Sequence, residues 1–159
     1  GIDGFSLDRD IATLVRDEME FDPSLYIAPR DSATPLAMVR LLQGLHDGRW
    51  LSKESRELLM VTMANCKTGP NRIKGQMPTD VMVAHKTGSL YNTSSDVGII
   101  TGPDGHSIAV AIYVTGGGMN RGYRIDRIAT IARALYDGFS EPRRVQLSAR
   151  GYGAAGDAN

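Results

Sequence analysis

Three short apolar runs follow one another with no helix-length segment between them: Val81–Lys86, Val97–Thr101 and Ser107–Val114. Short connections of this kind join antiparallel strands, because a parallel pair needs a long crossover. The last two runs are joined by Gly102-Pro103-Asp104-Gly105, a hairpin signal. Helical spacing surrounds these runs and never alternates with them. The order is three helical patterns, three strands and one more helical pattern. That order predicts an α+β chain, an αβα sandwich with an antiparallel sheet of about three strands covered by helices.

The first helical pattern lies in "SLDRDIATLVRDEM", with apolar residues at Leu7, Ile11, Leu14, Val15 and Met19 and Ser6 as the expected N-cap. Prolines at 23, 29 and 35 then predict a loop from Phe21 to Ala33. Thr34-Pro35 opens the second helix, with proline at the first helical position, and Asp47-Gly48 ends it. Ser52 caps a third helix running to about Ala64. The last helix runs from about Arg121 to Tyr136, with Ile125, Ile128, Ile131, Ala132 and Leu135 on one face. Residues 139–159 show little periodicity and read as a flexible tail after a domain spanning 1–138.

A length of 159 residues suits one domain with a sizeable core. Eighteen basic and eighteen acidic side chains cancel, so nothing in the balance points to a nucleic-acid partner. No apolar run reaches the eighteen or more residues of a membrane span, and "GIDGFSLDRD" lacks the features of a signal peptide. Cys66 is a single cysteine and forms no recognisable Cys-His motif with His46, His85 or His106. The three histidines are too dispersed for a metal-site spacing, and no cofactor is expected. Cys66 reads as a packed thiol, and His85 as a packed or hydrogen-bonded neighbour of Lys86.

Chemistry concentrates in Lys86-Thr87-Gly88-Ser89 at the end of the first strand run. A cation and a hydroxyl side by side at a sheet edge suit a carboxylate. The small Gly88 lets a ligand lie against the backbone, and an edge strand offers free N–H and C=O groups to an extended, peptide-like substrate. An ordinary strand end with polar turn residues would look the same, so the tetrapeptide alone decides nothing.

Its flanks are more specific. "RDSATPLAMVRLLQGLHDGRWLSKESRELLMVTMANCKTGPNRIKGQMPTDVMVAHKTGS" resembles the segment of the class A β-lactamases from the end of the omega loop to the Lys-Thr-Gly strand. "DVGIITGPDGHSIAVAIYVTGG" is similar to the hairpin that follows. The resemblance covers nearly all of residues 1–138 and implies acyl transfer from a β-lactam to serine, then hydrolysis. It implies that Lys86 is catalytic, supporting the proton network and the substrate carboxylate. Thr87 would bind that carboxylate, and Gly88 would let the ligand approach. Ser89 would offer a backbone N–H to the oxyanion hole. Arg72 matches a position where some members place an arginine reaching the same carboxylate. Asp31 matches a structural omega-loop aspartate. The region matching its partner arginine reads "EMEFD", so Asp31 is expected to lack that partner. The resemblance also implies export to the periplasm or medium.

Two departures matter. The family has Trp-Glu-Pro-Glu-Leu-Asn where this chain reads "FDPSLY". Asp22 therefore sits at the general-base position, one methylene shorter, with Tyr26 in place of the asparagine. A base that cannot reach its water fails, and Asp22 can equally be read as a solvated loop carboxylate. Moreover, no serine is followed three residues later by lysine, and no Ser-Asp-Asn occurs. The chain thus resembles the C-terminal part of the enzyme and is expected to be inactive alone. Its expected partners are a β-lactam or peptidoglycan-like acyl substrate and either the complementary N-terminal segment or a second copy of the chain. Two other readings stay open: a penicillin-binding or esterase-like hydrolase that deacylates poorly, and a non-catalytic binding or assembly module.

Overall fold

The computed structural model describes residues 1–18, 30–90, 93–116 and 120–140. Four helices and three strands follow in the expected order: α1 (Ile11–Glu18), α2 (Pro35–His46), α3 (Lys53–Ala64), β1 (Met82–Leu90), β2 (Thr93–Thr101), β3 (Ser107–Thr115) and α4 (Arg121–Ser140). A single 3₁₀ turn, Ile73–Gln76, lies between α3 and β1. The sheet is antiparallel with order β1-β2-β3. Fold class and element order agree with the sequence reading.

Local chemistry explains most boundaries. The Thr34 hydroxyl accepts the Ala37 amide at 3.1 Å, and Pro35 starts α2. The Ser52 hydroxyl accepts the Ser55 amide at 3.2 Å at the start of α3. After α2, Gly48 takes φ 71°, a left-handed stop that suits glycine. The β2–β3 turn closes with the Gly102 amide on the His106 carbonyl at 2.9 Å, with Gly105 at φ 83°.

Three expectations need correction. Ser6 does not cap α1; the Asp10 carboxylate accepts the Thr13 amide at 2.7 Å, so the helix starts later. Ser6 instead bonds Asp8 and Ser32. β1 does not stop at Lys86 and β2 does not start at Val97: β1 continues to Leu90, paired throughout with β2 from Thr93 to Thr101. Finally, α4 extends to Ser140, so Phe139 and Ser140 belong to a helix and not to a tail. Residues 141–159 lie outside the described residues.

Side chains alternate across the sheet. One face presents Val83, Ile100, Val110 and Ile112, which pack with Ile73, Ile128 and Ala132 into the main core. Ile128 and Ala132 bring α4 onto this face, and Ile73 brings the 3₁₀ turn. Complete burial of an isoleucine such as Ile128 contributes about 2–3 kcal/mol. The helices α2 and α3 pack on the strands as well, α2 on β2 and β3 and α3 on β1. Among the described residues, no helix is long and apolar enough to cross a membrane.

Candidate active site

The second half of β1 carries Lys86, Thr87, Gly88 and Ser89 opposite Val97, Asp96, Ser95 and Ser94 of β2. These four residues are strand, so their backbone is fixed by pairing and not by a turn. Gly88 faces Ser95 across the pairing. A Cβ there would stand 2.5 Å from the Ser95 hydroxyl.

The loop between α3 and the 3₁₀ turn closes against this strand. Gly69 adopts φ 60°, and a Cβ on it would lie 2.6 Å from Thr87 Cγ2 and 2.9 Å from Arg72 Cδ. Only glycine lets the loop come that close. The approach brings the Thr68 and Thr87 hydroxyls to 2.7 Å. The Cys66 thiol lies 3.3 Å from the Thr68 hydroxyl. That hydroxyl, helped by the nearby Lys86 charge, holds the thiol pKa below its ordinary value. Lys86 is exposed, and its ammonium donates to the Thr87 carbonyl at 2.7 Å.

Arg72 lies against this stretch of β1, only 3% exposed. One guanidinium nitrogen donates to the carbonyls of Gly88 (2.7 Å) and Ser95 (2.6 Å), and the other to the Ser89 hydroxyl (2.6 Å). Burial lowers the guanidinium pKa from its ordinary value, opposed by the negative charge of Asp96. The Arg72 cation therefore meets the two strands through the Ser89 hydroxyl and one backbone carbonyl each from β1 and β2.

Lys86, Thr87, Gly88, Ser89 and Arg72 thus come together. Asp31 bonds elsewhere. Its carboxylate accepts the amides of Asp8 (2.6 Å) and Arg9 (2.9 Å) and pairs with the Arg9 guanidinium at 2.5 Å. The "EMEFD" region holds no arginine, as expected, but Asp31 has an arginine partner from another place: Arg9, in the segment before α1. These bonds hold the Asp31 pKa at about 2, with the Arg9 side chain the main cause. Asp22 and Tyr26 lie outside the described residues.

Three participants escaped the sequence reading. Thr68 reaches Thr87, Ser95 supplies a carbonyl to Arg72, and Asp96 receives the His85 ring nitrogen Nδ1 at 2.8 Å. A polar stretch such as "SSD" opposite Thr-Gly-Ser signals them only once the register of the two strands is known. No group of three His, Cys, Asp or Glu side chains that could hold a metal occurs among the described residues.

A model of the beta-lactamase enzyme family matches residues 9–139. The chain belongs to the beta-lactamase enzyme family. It is 34% identical over 116 residues to a beta-lactamase of Bacteroides uniformis, covering 68% of this chain and 39% of that one. It is 34% identical over 141 residues to beta-lactamase CTX-M-25 of Escherichia coli, covering 87% of this chain and 46% of that one. Among solved structures, a class A beta-lactamase of Bacteroides cellulosilyticus superposes with TM-score 0.78 at 26% identity, covering 89% of this chain and 51% of that chain. A beta-lactamase of Chitinophaga pinensis gives 0.75 at 32% identity, covering 87% and 51%. The chain spans about half the length of these beta-lactamases or less, and the half it matches includes the Lys86–Ser89 strand.

Proposed function

We infer that this chain supplies the substrate-holding wall of a class A beta-lactamase-like serine hydrolase. The reaction is acyl transfer from a β-lactam amide to a serine, followed by hydrolysis of the ester. The observation that carries this reading is the β1 stretch Lys86-Thr87-Gly88-Ser89, with the buried Arg72 guanidinium bonded to Ser89. A cation and a hydroxyl there would hold the carboxylate of a β-lactam or peptidoglycan-like acyl substrate. The Ser89 N–H would face the developing oxyanion.

Nucleophilic catalysis also needs an activated serine. None of the chain's serines precedes a lysine by three residues. In this reading the nucleophile comes from a complementary segment, and the chain alone is inactive. Such a segment, or a second copy of the chain, would pair with the outer edge of β3. Among the described residues β3 has β2 as its one strand neighbour. Its edge lies beside an apolar groove lined by Val39, Val110, Leu135 and Phe139. An open edge of this kind readily accepts another strand. Export across the cytoplasmic membrane goes with this reading.

The test compares the chain alone with the same chain fused behind a class A segment carrying Ser-x-x-Lys and Ser-Asp-Asn. A chromogenic cephalosporin should be hydrolysed by the fusion and untouched by the chain alone. Turnover by the purified chain alone would overturn the reading. Asp22 at the general-base position favours a second outcome, a hydrolase that acylates but deacylates poorly. A stoichiometric burst followed by slow turnover in the fusion would identify it.

A further inference from the structure

Directly behind the wall lies a buried polar group that the proposed chemistry does not use. His85 and Asp96 are both fully buried. The His85 Nδ1 stands 2.8 and 2.9 Å from the two Asp96 carboxylate oxygens. One of those oxygens also accepts the Ile73 amide at 3.1 Å. Gly98 sits opposite His85 in the register, and a Cβ on it would lie 2.8 Å from the His85 Cβ. A side chain at that position would run into β1 at the Ala84 carbonyl and the His85 Cα and Cβ.

The protonation follows from the partners. An ionised carboxylate can only accept, so the Nδ1 contact requires a proton on Nδ1. His85 Nε2 has no partner among the described residues. With Asp96 ionised, the His85 Nδ1–H is the donor to its carboxylate. The Arg72 guanidinium, on the residue before Ile73, lies close enough to Asp96 to feel its charge.

We propose that His85 and Asp96 are positioning residues that set the Lys86–Ser89 wall by tying β1 to the loop that carries Arg72. His85 gives Asp96 its hold on β1, and the Ile73 amide gives it a hold on the loop. With both ends fixed, the adjacent Arg72 reaches Gly88 O, Ser95 O and the Ser89 hydroxyl together. The functional meaning of this proposal rests on the reading of Lys86–Ser89 as a substrate wall; the coupling does not.

The test is NMR of the full ¹⁵N-labelled chain. Long-range imidazole spectra should show a proton on His85 Nδ1; the Nε2–H tautomer would overturn the proposal. His85→Asn can place an amide N–H where Nδ1–H was, and His85→Leu cannot. His85→Asn should keep the Ile73 amide protection within about threefold, with the Ser89 amide and Arg72 Nε–H signals in place. In His85→Leu the Ile73 protection should fall at least tenfold and both signals should shift. A folded His85→Leu with all three readouts unchanged would overturn the proposal, as would an Asn variant perturbed as much as Leu. Should His85→Leu not fold, the tautomer and the Asn variant decide. No β-lactam enters these measurements, so their failure is separate from failure of the substrate reading.

Discussion

The Arg72 guanidinium donates to the Ser89 hydroxyl at 2.6 Å while bonding one carbonyl from each of β1 and β2. A planar fork can make these three bonds at once; a lysine ammonium on a flexible stem cannot reproduce their directions. Arg72→Lys should lower stability to urea by about 1–3 kcal/mol, the range for lost hydrogen bonds to a buried charge. The same change at the exposed Arg16 should cost nearly nothing. Equal midpoints for the two variants would show that the fork holds nothing together.

Asp31 gives a prediction with a definite pH window. Its pKa is about 2 in the folded chain, against an ordinary 3.8. A depressed carboxylate stabilises fully above the unfolded value, and that contribution fades as pH falls from about 4 toward 2. Asp31→Asn removes the charge but suits the backbone, since Asp31 sits at φ 51° and asparagine tolerates the left-handed region. The wild type should melt above Asp31→Asn at pH 6, and the gap should close between pH 4 and pH 2. A gap that is constant down to pH 2 would rule out the ion pair as its source.

Two glycines should respond in opposite directions. At Gly98 an added Cβ would meet the Ala84 carbonyl at 2.4 Å as well as His85, so Gly98→Ala must spread β1 from β2. A loss of about 1–3 kcal/mol is expected. Gly138 lies within α4 with nothing near its Cβ position. Gly138→Ala should raise stability by about 0.5–1 kcal/mol through helix propensity. Thermal melts of both variants check the pair.

The Cys66 thiol should alkylate at lower pH than a free thiol, because the Thr68 hydroxyl and the Lys86 charge favour its thiolate. Iodoacetamide rates against pH measure this. Thr68→Val should move the midpoint up. A midpoint at or above that of a free thiol would contradict the described contacts.

Helices and strand order were legible because their signals are local. Thr34, Ser52 and the Gly102–Gly105 turn act within a few residues. The length of β1 was hidden because its second half, Lys86–Leu90, is polar and partly open to solvent. It is held by equally polar Thr93–Val97 and not by a buried apolar face. Arg9 was missed as the partner of Asp31 because 22 residues separate them and no motif links them. His85 and Asp96 are diagonal neighbours across two strands, a relation that appears only once Lys86 is known to face Val97. Lys86, Thr87, Gly88 and Ser89 were singled out as candidate chemistry by the motif read with its flanks, whereas the buried frame behind them was not.

The most direct measurement is the rate at which the fused protein is acylated by benzylpenicillin, followed by intact mass. Lys86→Ala and Thr87→Val each remove a group assigned to the substrate carboxylate. A hydrogen bond to a charged group is worth about 1.5–3 kcal/mol, so each variant should acylate about 10- to 150-fold more slowly. Acylation at the unmodified rate in both variants would contradict the assignment of this strand as the substrate wall.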